Sequence, residues 1–130
     1  MMRIKIISPG KHNKLWLSSA ILEYEKRLTK LAKIEWVFPK ELKMPQETYS
    51  LLDVKGKFLT SEQFSNFLIS KPSHTFVIGG HEGPCQNIIE NASFKFSLSS
   101  LTFTHQMVRL VLIEQIYRGF EIFKGSSYHK

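Results

Sequence analysis

Along this chain, short stretches with an apolar residue at every second position alternate with longer ones whose apolar residues recur every three or four. The first period belongs to a strand and the second to a helix. "RIKIIS", 3–8, places Ile4 and Ile6 on one face and stops at Pro9-Gly10, a turn signal. Leu17, Ile21, Tyr24, Leu28 and Leu31 then line one helix face, and the opposite face carries Lys14, Glu23, Lys26, Arg27, Lys30 and Lys33. "IEWVF", 34–38, reads as a second strand ended by Pro39, and the polar stretch 40–48 as a loop. "YSLLDV", 49–54, reads as a third strand broken by Gly56. Thr60 and Gln63 form a capping box, with Leu59 and Phe64 as its hydrophobic staple, opening a helix. "HTFVIGG", 74–80, is a buried strand running into two glycines, and Pro84 fits the first turn of a helix carrying Ile88, Ile89 and Ala92. "FKFSL", 94–98, is a fifth strand, and the last helix spans about His105 to Phe123. Such alternation implies an α/β domain, a mostly parallel sheet with helices on both faces. Ligands of such sheets bind outside the carboxyl ends of the strands.

The last helix has little polar face. Met107, Val108, Leu110, Val111, Leu112, Ile113, Ile116, Tyr117, Phe120, Ile122 and Phe123 surround it. A helix apolar nearly all round is buried on more than one side. In a domain of 130 residues only one face meets the sheet. The other is expected to meet a second copy of the chain, in a two-fold homodimer through this C-terminal helix.

Chemistry concentrates after the late strands. "VIGGHEG", 77–83, puts Gly79, Gly80 and Gly83 directly after a strand, where a ligand can approach the backbone. The first strand-to-helix turn, 8–13, has no G-x-G-x-x-G, so the dinucleotide fingerprint is missing from its usual place. "SLSSLTFTH", 97–105, alternates the hydroxyls of Ser97, Ser99, Ser100 and Thr102 with Leu98, Leu101 and Phe103. Hydroxyls can hold a polar ligand while the apolar residues clamp a flat ring; equally, the loop can serve to cap the last helix through Thr104. Asp53 is either a ligand contact or a turn former. Cys85 reads as a small buried hydrophobe. The tail "GSSYHK" gathers a phenol, an imidazole and an ammonium at Tyr128, His129 and Lys130, where order is hardest to keep.

The length fits one domain over 1–130. A net charge of +7 points to nucleic acid or an anionic surface as partner. No apolar run approaches the roughly 20 residues that span a bilayer, and "MMRIKIISPG" is too short in apolar residues for a signal peptide. A single cysteine suits a reducing compartment, so a cytoplasmic location without membrane association is expected. The five histidines show no metal-ligand spacing, and no metal is expected.

Three stretches, "LLDVKGK" (51–57), "VIGGHEG" (77–83) and "LSSLTFTHQMVRLVLIEQIYRGFEIFKGSSYHK" (98–130), together with the opening "MRIKIISPGKHNKLWLSSAILEYEKRL", resemble the RlmH family of SPOUT-type methyltransferases. The resemblance covers nearly the full chain. It implies a SPOUT (α/β-knot) fold with a C-terminal trefoil knot, which the general avoidance of knots would have rejected. It implies S-adenosylmethionine bound against Leu52, Gly79, Leu98, Ser99, Ser100, Leu101, Thr102 and Phe103, with Gly80 adjacent. It implies a homodimer that methylates ring nitrogen N3 of a pseudouridine in large-subunit (23S) ribosomal RNA, on the assembled ribosome. The chain departs from the family in two places. Segment 40–48 is too short for a helical piece that relatives carry there, and Thr104 stands where they tend to have proline. The alternatives are a non-catalytic basic ribosome-binding factor and a knotted methyltransferase acting on transfer RNA.

Transfer of a methyl group to an imide nitrogen needs alignment, a lone pair and help in removing a proton. His129 is the candidate proton acceptor, because an imidazole titrates near neutral pH. Tyr128 is placed to stack on the base or bond its carbonyl, beside this subunit's cofactor or its partner's. Lys130 and Arg109 are the candidates for RNA phosphate.

Overall fold

The computed structural model describes residues 1–10, 14–80 and 82–129. Lys130, His81 of the glycine turn and residues 11–13 of the first turn lie outside the described residues. The elements follow in the order β1 (Met2–Ile7), α1 (Leu15–Leu28), β2 (Ala32–Val37), β3 (Ser50–Phe58), α2 (Ser61–Ile69), β4 (Ser73–Ile78), α3 (Gln86–Asn91), β5 (Phe94–Ser97) and α4 (His105–Lys124). The strands form one sheet in the order β2-β1-β4-β3-β5, and every pairing is parallel. Parallel neighbours need crossovers that return the chain to the same edge. All five carboxyl ends therefore emerge on one side.

Helices α1, α2 and α4 cover one face. Their buried Leu17, Ile21, Phe64, Leu68, Leu112, Ile113 and Ile116 join Ile4, Ile6, Phe76 and Phe96 of the strands in the main core. The other face is thinner: Ile88 of α3 packs with Ile7, Tyr49, Leu51 and Val77. Tyr49 fastens this layer by donating its hydroxyl to the Ile88 carbonyl at 2.6 Å. Of the first helix's expected stripe, Leu17, Ile21 and Leu28 are buried and Tyr24 half-buried, whereas Leu31 falls in the turn after the helix. At α2 the Thr60 hydroxyl accepts from Gln63 N and the Gln63 side chain accepts from Thr60 N, so the capping box forms in both directions.

Two expectations are corrected. Cys85 is exposed: it is the residue before α3, past the end of β4. Gly56 does not break the third strand; β3 continues to Phe58. The ladder against β5 steps out at residues 53–56 and re-forms, so Phe96 faces both Leu52 and Lys57. An insertion of this kind bends a strand without ending it. Glycine is what allows the return: a Cβ on Gly56 would lie 2.6 Å from Phe96 N and 2.8 Å from Lys95 C. Both obstacles are backbone and cannot swing aside. Gly56→Ala is therefore expected to destabilise the fold by ~2 kcal/mol, measurable as a lower denaturant midpoint at unchanged slope. An unchanged midpoint would contradict the close approach of the two strands.

Candidate ligand site at the carboxyl edge

A cavity of about 510 Å³ opens at the carboxyl ends of β3, β4 and β5. That volume falls in the range of small-molecule sites. Its first wall is the excursion of β3, with Leu52, Asp53 and Val54. Its second is the turn after β4, with Ile78, Gly79, Gly80, Gly83 and Pro84. The third is the loop into α4, with Ser97, Leu98, Ser99, Leu101, Thr102, Phe103 and Thr104, closed by His105 and Val108 of the helix.

Local chemistry explains each wall. Asp53 Oδ1 accepts from Lys55 N at 3.1 Å, a side-chain turn that carries the chain outward and back. Gly79 sits where a Cβ would meet Pro84 Cδ at 2.7 Å, so the turn closes only over glycine. Gly83 has φ +77, a left-handed conformation that suits glycine, and no atom stands within 4 Å of where its Cβ would be. In the third wall Ser97 Oγ donates to Ser99 O at 2.9 Å, and Ser99 Oγ accepts from Leu101 N at 3.0 Å. These bonds fold the loop on itself and leave Leu101 and Thr102 exposed at the mouth. Thr104 then caps α4, its hydroxyl accepting from Met107 N at 3.3 Å. Of the two roles its sequence left open, the loop performs the capping, and it also lines the cavity.

Arg109 belongs to a different layer from the one assigned to it. It is fully buried, so its guanidinium is not presented to RNA phosphate. Its Nε donates to Ser8 Oγ at 2.7 Å and its Nη2 to the Pro9 carbonyl at 3.2 Å. The guanidinium also lies 4.6 Å from the centre of the Phe38 ring. Burial lowers its pKa by disfavouring the charged form. His105 bonds the same Pro9 carbonyl through Nε2 at 2.8 Å; a carbonyl only accepts, so that nitrogen carries the proton. Together these side chains clamp the start of α4 to the turn after β1.

Tyr128 and His129 of the tail pack on α4. Tyr128 donates its hydroxyl to Glu114 Oε2 at 2.8 Å and packs edge-on against Tyr117. Burial and the Glu114 carboxylate both push the Tyr128 phenol well above its ordinary pKa, so it is a donor and not a base. Arg118 bonds Glu114 and also His129 Nδ1, at 2.8 and 3.0 Å. Nε2 of His129 faces Glu62 Oε2 at 3.3 Å. Neither tail residue lines this chain's cavity. Val108 marks the cavity, and Glu114 lies six residues further on, roughly 9 Å along the axis.

Of the residues expected to hold a cofactor, Leu52, Gly79, Gly80, Leu98, Ser99, Leu101, Thr102 and Phe103 converge on this cavity. Ser100 does not; it is exposed on the outside of the loop. Val54, Pro84, His105 and Val108 also line it and were missed. Pro84 and His105 follow directly from the glycine turn and the serine loop, so proximity in sequence could have found them. Val54 could not be found, because period-two reading has no means of showing a four-residue excursion. Among the described residues no three His, Cys, Asp or Glu side chains group as metal ligands.

Fold and site together define a parallel α/β domain with a cavity of small-molecule size, part polar and part apolar, at the carboxyl edge of its sheet. Comparison with known proteins gives the particular family. Residues 2–129 match the family model described as "Predicted SPOUT methyltransferase". The chain is 42% identical to a ribosomal RNA large subunit methyltransferase H of Protochlamydia amoebophila, covering all of both chains. It is 35% identical to that of Clostridium kluyveri and 36% to that of Carboxydothermus hydrogenoformans, covering 99% of this chain and all of each relative. The alignments run over 142 to 159 positions, so these relatives carry residues that this 130-residue chain lacks. The chain belongs to the SPOUT methyltransferase family, among the RlmH-type members that its sequence resembles.

The buried clamp yields a stability expectation. Arg109→Leu would leave the Ser8 hydroxyl and the Pro9 carbonyl without a charged donor, at a cost of about 3 kcal/mol. The expected readout is a lower melting temperature. A variant as stable as the parent would mean that the guanidinium does not fasten α4.

Proposed function

We propose that this protein is an S-adenosylmethionine-dependent methyltransferase acting on large-subunit ribosomal RNA, at N3 of a pseudouridine, on the assembled ribosome. The same reading carries the knotted C-terminal path, the α4 homodimer and a cytoplasmic location. One observation supports it above the rest: eight of the residues expected to touch the cofactor line one cavity at the carboxyl edge. Relatives bearing the ribosomal RNA methyltransferase name match from end to end. The net charge of +7 favours an RNA partner.

The residues present fit such a cofactor. Leu52, Leu98, Leu101 and Phe103 offer apolar walls to a flat ring. The Gly79–Gly80 backbone and the loop hydroxyls offer bonds to polar arms, and Gly83 leaves open space where a side chain would stand. When bound, the cofactor supplies a methyl group on a sulfonium. The protein has to hold the acceptor base in line with that methyl, exclude water and take up the imide proton.

In this reading the tail performs the last task. Its own cavity is out of reach, so His129 and Tyr128 serve the cavity of a second copy. The surface of α4 supports the pairing. Met107, Val111 and Ile122 are half-exposed and lie outside both core clusters, and Phe123 is 66% exposed. Met107, Val111 and Ile122 recur at helical spacing on the side of α4 where Glu114 and Arg118 hold the tail. His129 can accept a proton once its Nδ1 is released from Arg118. Tyr128, once its hydroxyl is released from Glu114, is suited to donate to a base carbonyl. Lys130 is assigned to phosphate.

Calorimetric titration should show one S-adenosylmethionine bound per chain. Gly79→Ala, which drives a Cβ to 2.7 Å from Pro84 Cδ, should weaken binding about tenfold or more. Absence of binding by the parent protein would refute the enzymatic reading. Deleting Tyr128–Lys130 should leave cofactor affinity within about twofold, less than 1 kcal/mol, and abolish methylation of ribosomes, followed by mass mapping of the modified nucleoside. Full activity without the tail would remove His129 and Tyr128 from the mechanism.

A further inference from the structure

Asp53 stands out among the cavity's residues. Among the described ones it brings the only carboxylate, and no lysine or arginine lines the space with it. The remaining walls are glycine, aliphatic and aromatic carbon, hydroxyls and the ring of His105. Asp53 is half-buried and sits at the start of the outward excursion of β3, where the strand leaves β5. Its Oδ1 is committed to Lys55 N at 3.1 Å. That bond fixes the carboxylate against the wall. The site is thus a neutral cavity with one negative charge held in place by the turn it makes.

We infer that Asp53 gives the cavity its preference for a positively charged ligand, and so separates the sulfonium donor from the neutral thioether that remains after transfer. The inference rests on the cofactor reading above and adds to it. The two molecules have the same shape apart from one methyl group, so apolar contacts distinguish them weakly. They differ by one unit of charge. A fixed negative charge acts on that difference through space, with an energy that grows as water is excluded. It attracts the donor and loses its hold when the charge disappears on transfer, which favours exchange of product for fresh donor. Oriented charge of this sort acts on the ligand whatever the rest of its contacts.

The test compares two affinities in one protein. S-adenosylmethionine and S-adenosylhomocysteine are titrated calorimetrically into the parent chain and into Asp53→Asn. Asparagine keeps the Oδ1 acceptor for Lys55 N, so the excursion survives; Asp53→Ser, which can also turn the chain, is the second variant. In both variants the donor's affinity is expected to fall about tenfold relative to that of the thioether. In the parent, the donor-to-thioether affinity ratio is expected to shrink as ionic strength rises. Equal losses for the two ligands would assign Asp53 to an ammonium or diol they share and overturn the inference. So would unchanged affinities. If the parent binds neither ligand, the cofactor reading fails first, and this inference falls with it.

Discussion

Parallel pairing is the constraint on which the rest of this molecule depends. Every strand in the sheet runs the same way, so every crossover must return the chain across a face. Two consequences follow from that single fact. The faces are covered, three helices on one side and α3 with Tyr49 on the other. And the loops that follow the strands all meet at one edge. Residues as distant in sequence as Pro9, Leu52, Gly79 and Ser97 become neighbours there without any further design. An antiparallel sheet would have scattered the same loops to both ends.

The edge needs two local devices before it holds a cavity. One is the return of β3 over Gly56. The outward step from Asp53 to Gly56 builds a wall, and the strand then rejoins β5 at a distance no other residue allows. The other is the buried guanidinium of Arg109, which ties α4 to the turn after β1. A buried cation is costly unless its donors are engaged. Here Ser8, the Pro9 carbonyl and the face of Phe38 receive it. The first device shapes the open side of the cavity and the second fixes the helix that closes it. Gly56 and Arg109 are not themselves among the lining residues, yet both decide where the lining side chains stand.

Much of this was legible in the sequence because it rests on local rules. The strand and helix periods gave every element, and Thr60 with Gln63 marked the start of α2 to the residue. The glycine turn and the serine loop drew attention by composition, which left a plain turn and a helix cap equally open; residues of both line the cavity. What escaped was set by tertiary contact. Gly56 looked like a strand breaker, because a close approach to Phe96 is invisible until β5 is in place. Cys85 looked buried because its type usually is, and it is exposed at the N-cap position of α3. Arg109 looked like a surface cation for the same statistical reason. Only the packed structure reveals that a helix apolar nearly all round had turned its arginine inward.

The ordered tail bears on how chemistry could be divided in this molecule. Tyr128 and His129 are each held by two groups or more, and those groups belong to α4 and α2. Their geometry is therefore set by helices that the main core already fixes. A terminal segment placed this way acts as a rigid projection of α4, with Tyr128 turned toward Glu114 and not toward its own cavity. Folding the tail back to that cavity would break the Glu114 and Arg118 contacts and expose the Tyr117 ring. In the proposed dimer the segment could approach a second chain's cavity with the Tyr117 packing kept, and only the Arg118 bond to His129 and the Glu114 bond to Tyr128 would be exchanged for substrate. The stripe of Met107, Val111 and Ile122 lies on the same helix and lacks a partner in either core cluster. A second copy seated on this stripe, as proposed, would cover it beside the segment that carries Tyr128 and His129.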